Sequence, residues 1–223
     1  MRQPALIFDF GNVVAFFDYG RACEALGAPL GLSGAALLER VGALGFAPLV
    51  RRYESGQIPA AAFSAEFCAL AGLDVPHAAF AAAWSDIFRP NEPVARLIAA
   101  LKAAGYRLVL GSNTNDLHAA QFRRQFAATL AHFDRLVLSY EVGHAKPAAD
   151  FFDACVAAAE APAAACIFID DLPENVAGAQ ARGLTGLLYR DAPTLVADLR
   201  RLGVEVPPAA VDDGAIEKPE RRT

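Results

Sequence analysis

The sequence predicts an open α/β fold, a parallel sheet flanked by helices with a helical lobe inserted after the first strand. Three observations lead there: five short apolar runs recur along the chain, most end on polar or acidic residues, and amphipathic stretches separate them. The first run is LIFDFGNVV, Leu6 to Val14, which turns polar at Asp9. YRLVLGSN (Tyr106 to Asn113), RLVLSYEVG (Arg135 to Gly143), ACIFIDD (Ala165 to Asp171) and TGLLYRD (Thr185 to Asp191) follow. Short continuous apolar runs suit strands covered on both faces, the habit of parallel sheets. Between them PVARLIAALKAAG keeps its apolar residues on one face and reaches Gly105 where a helix stops, and PAADFFDACVAAAE and PENVAGAQARG read the same way. Alternating strands and helices of this length make right-handed βαβ units.

The stretch from Phe16 to Pro90 breaks the alternation. It holds no convincing strand, only helical stretches such as ALLERVGALGFAPLVRRYESG, AAAFSAEFCALAG and HAAFAAAWSDIF, separated by Gly and Pro. We therefore expect a core of residues 1–15 and 91–203, a helical lobe over 16–90 and a mobile tail over 204–223, where proline and charge lack periodicity.

Composition narrows the function. The chain has 223 residues, enough for a sizeable core, and a net charge of -5 without a basic stripe, which argues against a nucleic-acid binder. Charged residues interrupt every apolar stretch before it could span a membrane, and the N-terminus lacks the pattern of a signal peptide. Cys23, Cys68, Cys155 and Cys166 are scattered among apolar neighbours, as buried free thiols are. A cytoplasmic location is expected, as monomer or homodimer.

In open α/β sheets, ligands bind outside the carboxyl ends of the strands. Asp9, Ser112 with Asn113, and Asp170 with Asp171 all stand at such ends, and Lys146 follows the third run by a short loop. Carboxylates gathered at one point repel one another and call for a cation. With oxygen ligands and no nearby His or Cys, Mg²⁺ suits such a site, and with it a phosphorylated substrate. A carboxylate can then act as nucleophile while a hydroxyl and an ammonium hold the phosphoryl oxygens.

These residues resemble the haloacid dehalogenase superfamily, whose four motifs are matched in order by LIFDFGNVV, LVLGSNTN, GHAKP and IFIDDLPEN between Ala5 and Tyr189. DFGNVV, SNTNDLH and DDLPEN look closest to bacterial phosphatases of the α-glucose-1-phosphate phosphatase kind, with the phosphatase domain of soluble epoxide hydrolases more distant. The resemblance implies a Rossmann-like core with a type-1 cap and a phosphatase acting on a small phosphorylated metabolite, with sugar phosphates the favoured class. It implies Asp9 as nucleophile and metal ligand, the Gly11 backbone carbonyl and Asp171 as further ligands, Asp170 acting through water and Asn175 in the outer shell. Ser112 and Lys146 would bind the phosphoryl group with support from Asn113.

One position departs from the family. Most of its phosphatases carry a second aspartate two residues after the nucleophile as general acid and base, where this chain has Gly11. Asp18, a metal-bound water and His118, just after Ser112, are the candidates for the missing role. The rival functions are metal-independent dehalogenation of a 2-haloacid, with Asp9 attacking carbon, and a catalytically weak phosphoryl-binding module. The acid pair Asp170 and Asp171 favours the phosphatase, since the dehalogenases' fourth motif lacks it. Taken singly, each residue has a plainer reading: Asp170 and Asp171 as caps of the helix near Pro173, Ser112 as a loop tie, Lys146 as an exposed charge. The aromatic residues of the lobe read mostly as core, and RRYESGQI either supplies charges to a sugar or phosphate or is a solvated helix face.

Overall fold

The computed structural model describes residues 3–207. In chain order, β1 (Ala5–Phe8) and β2 (Ala15–Phe17) lead into α1 (Tyr19–Gly27), α2 (Gly34–Ala43), α3 (Phe46–Glu54), α4 (Ala60–Ala71) and α5 (His77–Ser85). β3 (Phe88–Pro90) returns to α6 (Glu92–Ala103), β4 (Leu108–Ser112), α7 (Asp116–Gln125), the short α8 (Ala127–Leu130), β5 (Arg135–Leu138) and the short α9 (Ser139–Val142). The chain then runs through α10 (Ala149–Ala159), β6 (Cys166–Asp170), α11 (Pro173–Ala181), β7 (Thr185–Leu188) and α12 (Ala192–Arg201). The five core strands form one parallel sheet in the order β5-β4-β1-β6-β7.

Side chains alternate along these strands as a pleated backbone requires. Leu6, Phe8, Leu108, Leu110, Ile167 and Ile169 join one apolar cluster, while Ala5, Ile7, Val109, Cys166 and Phe168 join the other. The first cluster takes in Leu97 of α6, Phe122 of α7 and Leu199 of α12, the second Phe151 of α10 and Ala179 of α11. Burying a large apolar side chain stabilises by roughly 1.5–3 kcal/mol, so covering both faces accounts for the unbroken apolar runs in the sequence. Gly105, at φ +87°, ends α6 at the expected place.

The first cluster continues into the helical segment. Tyr53, Phe63, Phe67, Phe80 and Trp84 are buried there, with Tyr53 stacked on Phe63 at 4.3 Å and Phe80 on Trp84 at 5.7 Å between ring centroids. The long stretch ALLERVGALGFAPLVRRYESG divides into α2 and α3 at Gly45, which takes φ +105°.

Three features differ from the sequence reading. β2 and β3 pair antiparallel, Phe16 with Arg89, and carry the chain out of the sheet and back, where no strand was expected. Each is three residues long and its partner lies about seventy positions away, so neither leaves a local pattern. β5 stops at Leu138 and RLVLSYEVG finishes as a helical turn. Val204 and Val206, assigned to the tail, are buried, and the Glu205 N–H donates to the Tyr106 hydroxyl at 2.7 Å. The remainder of that expected tail, 208–223, lies outside the described residues. The four cysteines are buried free thiols, and no helix among the described residues is long and apolar enough to cross a membrane.

Candidate active site

Strand register gathers the site. Phe8 of β1 pairs with Leu110 of β4 on one side and Ile169 of β6 on the other. One residue further, Asp9 stands beside Gly111 and Asp170, at the carboxyl edge of the three central strands.

Lys146 connects these ends. Its ammonium donates to Asp9 Oδ1 at 2.6 Å, Asp170 Oδ2 at 2.7 Å and the Gly111 carbonyl at 3.1 Å. All three charged side chains are buried. Burial alone would lower the lysine's pKa, but Asp9 and Asp170 outweigh it and hold it above the ordinary value. Burial pushes Asp9 the other way, up to about 7; Lys146 opposes this and the negative Asp170 adds to it. The loop presenting Lys146 is pinned by Asn113, whose Oδ1 accepts the Lys146 N–H at 2.8 Å and whose Nδ2 donates to the Lys146 carbonyl at 3.1 Å. Ser112 is buried at the end of β4, with its hydroxyl on the Asn113 carbonyl at 3.3 Å.

Asp9, Asp170 and Asp171 each offer a carboxylate oxygen within 4.8 Å of the others. Three buried carboxylates against one ammonium leave an excess of negative charge, and the all-oxygen donor set fits a hard divalent cation such as Mg²⁺. Asp170 is heavily engaged: Oδ1 accepts the Leu172 N–H and the Asn175 amide, both at 2.9 Å, and Oδ2 accepts Lys146. Asn175 therefore orients Asp170. Asp171 Oδ2 accepts Asn12 Nδ2 at 3.3 Å, and Asn12 reaches it from a left-handed turn at φ +57°.

Gly11 adjoins Asp9, and its smallness has a specific cause. A Cβ built there would lie 2.9 Å from Phe17 Cε1 and 3.9 Å from Asp9 Oδ2. The Phe17 ring thus occupies the space a side chain at this position would enter.

The two side chains considered for the acid role are committed elsewhere. Asp18 is exposed, and its Oδ1 accepts the Gly20 N–H at 2.8 Å as the N-cap of α1. His118 is buried with both ring nitrogens in contact, Nε2 with the Trp84 carbonyl at 3.0 Å and Nδ1 with Asn115 Nδ2 at 3.0 Å. Its ring stacks on Trp84 at 5.5 Å. Burial pulls its pKa down to about 4, against smaller opposing effects of the Trp84 carbonyl and Asp116, so the ring is neutral at pH 7.

A small cavity beside the strand ends is lined by Gly11, Phe17, Tyr19, Glu54, Ser112 and His118, among others. Of these, Glu54 was not singled out from the sequence: it lies in the quoted RRYESGQI, but nothing in that segment aims one side chain at a site whose Lys146 follows about ninety positions later in the chain. Ser139 was missed as well. Its hydroxyl accepts the Thr114 N–H at 2.9 Å and donates to the Glu54 carbonyl, and only its place directly after an apolar run hinted at a role.

Residues 5–183 match the hydrolase family described as haloacid dehalogenase-like hydrolase. The D-ribitol-5-phosphate phosphatase of Bacteroides thetaiotaomicron is 28% identical over 180 residues, which cover 77% of this chain and 84% of that protein. A solved haloacid dehalogenase-family enzyme from Bacteroides thetaiotaomicron superposes with a TM-score of 0.72 at 25% identity, over 85% of this chain and 94% of that one. Another structure from that organism, in complex with magnesium and inorganic phosphate, superposes with a TM-score of 0.66 at 23% identity, over 85% and 96% of the two chains.

Proposed function

This chain belongs to the haloacid dehalogenase-like hydrolase family, and from that premise we propose that it hydrolyses a small phosphomonoester with Mg²⁺, through an aspartyl-phosphate on Asp9. The observation that carries this reading is the position of Lys146, with Asp9 at 2.6 Å and Asp170 at 2.7 Å. An ammonium there holds the nucleophile's second oxygen and stands ready for the negative charge of a phosphoryl group. Asp171 beside this pair supports phosphoryl transfer over attack on the carbon of a haloacid, which needs no cation.

Asp9 attacks phosphorus, forms the acyl-phosphate and releases the alcohol. Ser112 and Lys146 hold the transferred phosphoryl oxygens, and Asn113 keeps Lys146 in place through its two backbone contacts. Asp9, Asp171 and the Gly11 carbonyl would hold Mg²⁺, with Asp170 acting through water; the ion supplies positive charge against the phosphate oxygens. Water then attacks the acyl-phosphate and restores Asp9. Helices α1–α5, carried on the β2-β3 ribbon, serve as the cap that closes over the reaction and excludes bulk water.

A sugar or sugar-alcohol phosphate is the favoured substrate. Support comes from the D-ribitol-5-phosphate phosphatase relative and from the resemblance of DFGNVV, SNTNDLH and DDLPEN to α-glucose-1-phosphate phosphatases. The test is phosphate release from a panel of sugar phosphates and an aryl phosphate, with and without Mg²⁺, for wild type and Asp9→Asn. Mg²⁺-dependent turnover that vanishes in the variant is the expected result. Metal-independent halide release from 2-chloropropionate, without phosphate release, would move the assignment to dehalogenase.

A further inference from the structure

With glycine two residues after Asp9, Phe17 filling the space beside it, and Asp18 and His118 committed elsewhere, the cavity wall holds one further carboxyl group, that of Glu54. It comes from the C-terminus of α3, in the helical segment.

Three contacts seat this end of α3 on the core. The Tyr53 hydroxyl donates to Asp116 Oδ1. Ser139, at the end of β5, donates its hydroxyl to the Glu54 carbonyl. Gly56, at φ +70°, packs so closely that a Cβ would lie 2.5 Å from the Tyr140 carbonyl oxygen. Ser139 also accepts the Thr114 N–H at 2.9 Å, two residues beyond Ser112. The backbone of Glu54 is therefore tied through Ser139 to the β4 loop that presents Ser112 and Asn113. A side chain on so fixed a backbone, directed into the cavity, is placed to act on whatever is held there.

We propose that Glu54 is the general acid and base of this site, protonating the leaving oxygen in the first half-reaction and deprotonating the attacking water in the second. The inference rests on the phosphatase reading. In the first half, Asp9 Oδ bonds to phosphorus, the bond from phosphorus to the ester oxygen breaks with its electron pair going to that oxygen, and the Glu54 carboxyl proton follows. In the second, a water proton passes to Glu54, the water oxygen bonds to phosphorus, and the bond from phosphorus to Asp9 breaks to restore the carboxylate. Phosphate leaves and Glu54 is again protonated, so the cycle closes without a further reactant.

The surroundings suit that role. Burial holds the Glu54 carboxyl up to about 7, partly offset by the Lys146 ammonium, so both protonation states are accessible at neutral pH. The other titratable groups facing it are the Tyr19 phenol from α1, kept protonated by burial and by Glu54 itself, and the neutral His118 from α7. Neither supplies a competing charge. Beyond Lys146 lies Asp9, held by the same ammonium.

The experiment compares wild type, Glu54→Gln, Glu54→Asp and Asp9→Asn on an alkyl phosphate and on 4-nitrophenyl phosphate, across pH 5–9 with Mg²⁺ present, with thermal melts to establish that each variant is folded. An aryl leaving group departs without a proton, whereas an alkoxide needs one. In Glu54→Gln, kcat/KM for the alkyl phosphate should fall about 100- to 10,000-fold, while kcat/KM for 4-nitrophenyl phosphate stays within about threefold. Its kcat on the aryl substrate should still fall, because hydrolysis of the acyl-phosphate needs the base, and acid-quenched enzyme should retain phosphate. Glu54→Asp should recover part of the alkyl activity and a shifted pH profile. Equal losses on both substrates with an unchanged pH profile would overturn the acid-base role and leave Glu54 a structural residue of the cap. Wild-type turnover lost in Asp9→Asn but untouched in Glu54→Gln would overturn this inference and keep the phosphatase. Absence of wild-type turnover would overturn both.

Discussion

The Phe17 ring stands where a side chain at Gly11 would have to go, with Cε1 2.9 Å from the position of a Cβ. Phe17 comes from β2, the strand that leads into the helical segment, so that connection packs against the loop following Asp9. Restoring the aspartate common at this position in related phosphatases should therefore cost stability. Gly11→Asp is expected to destabilise by less than the roughly 1–3 kcal/mol of overpacking in a closed core, because the half-buried Phe17 ring can shift toward the cavity, and by less again when combined with Phe17→Ala. Urea denaturation of the single and double variants measures the coupling; strictly additive effects would rule out the steric conflict.

Lys146 neutralises Asp9 and Asp170 in a buried site. Lys146→Met should abolish turnover and destabilise by about 3–5 kcal/mol at pH 8, where the carboxylates are left facing each other. At pH 5.5 the loss should be smaller, because the raised pKa of Asp9 lets it take up a proton in the folded state. Equilibrium unfolding at the two pH values tests this. An equal penalty at both would mean that charge repulsion is not its source.

The carboxylate triad should bind Mg²⁺ in the absence of substrate. Saturating the folded protein at one hundred times Kd adds about 2.7 kcal/mol of stability, seen as a rise in Tm with Mg²⁺ concentration. Asp171→Asn should remove most of that response. A Tm rise of the same size in the variant would place the ion elsewhere.

His118 makes stability depend on pH in a predictable direction. Its folded pKa lies near 4 against an ordinary 6.5, so between these values the unfolded chain binds a proton that the folded chain does not. Its contribution is complete above pH 6.5 and is lost as pH falls toward 4, amounting to about 3 kcal/mol at about 1.4 kcal/mol per pH unit. Asp9 and Glu54, with raised pKa values, act in the opposite sense over the same range. The diagnostic quantity is therefore the difference between wild type and His118→Gln. Wild type should lose stability more steeply than the variant between pH 6.5 and 4.5, and parallel curves would show that the imidazole does not titrate on unfolding.

Much of this protein follows from its sequence alone. Continuous apolar runs such as LIFDF and ACIFID mark strands covered on both faces, because a two-residue repeat with both faces buried leaves no polar positions. Parallel strands then bring their carboxyl ends to one edge, so Asp9, Ser112, Asp170 and Asp171 could be placed together from local pattern and topology. Other features depend on contacts that local pattern cannot encode. β2 and β3 are too short to show a repeat and are defined by each other across about seventy residues. Asp18 and His118 carry the right chemistry for an acid, yet the Gly20 N–H holds one and the Trp84 carbonyl and ring hold the other. Glu54 reads as one more charge on a helix until Ser139 and the close approach of Gly56 to Tyr140 seat it over the cavity. Residue order sets the periodicities and the strand ends; which side chains remain free to act is decided by packing between segments far apart in the chain, where burial and hydrogen bonding commit some polar groups and leave others facing the site.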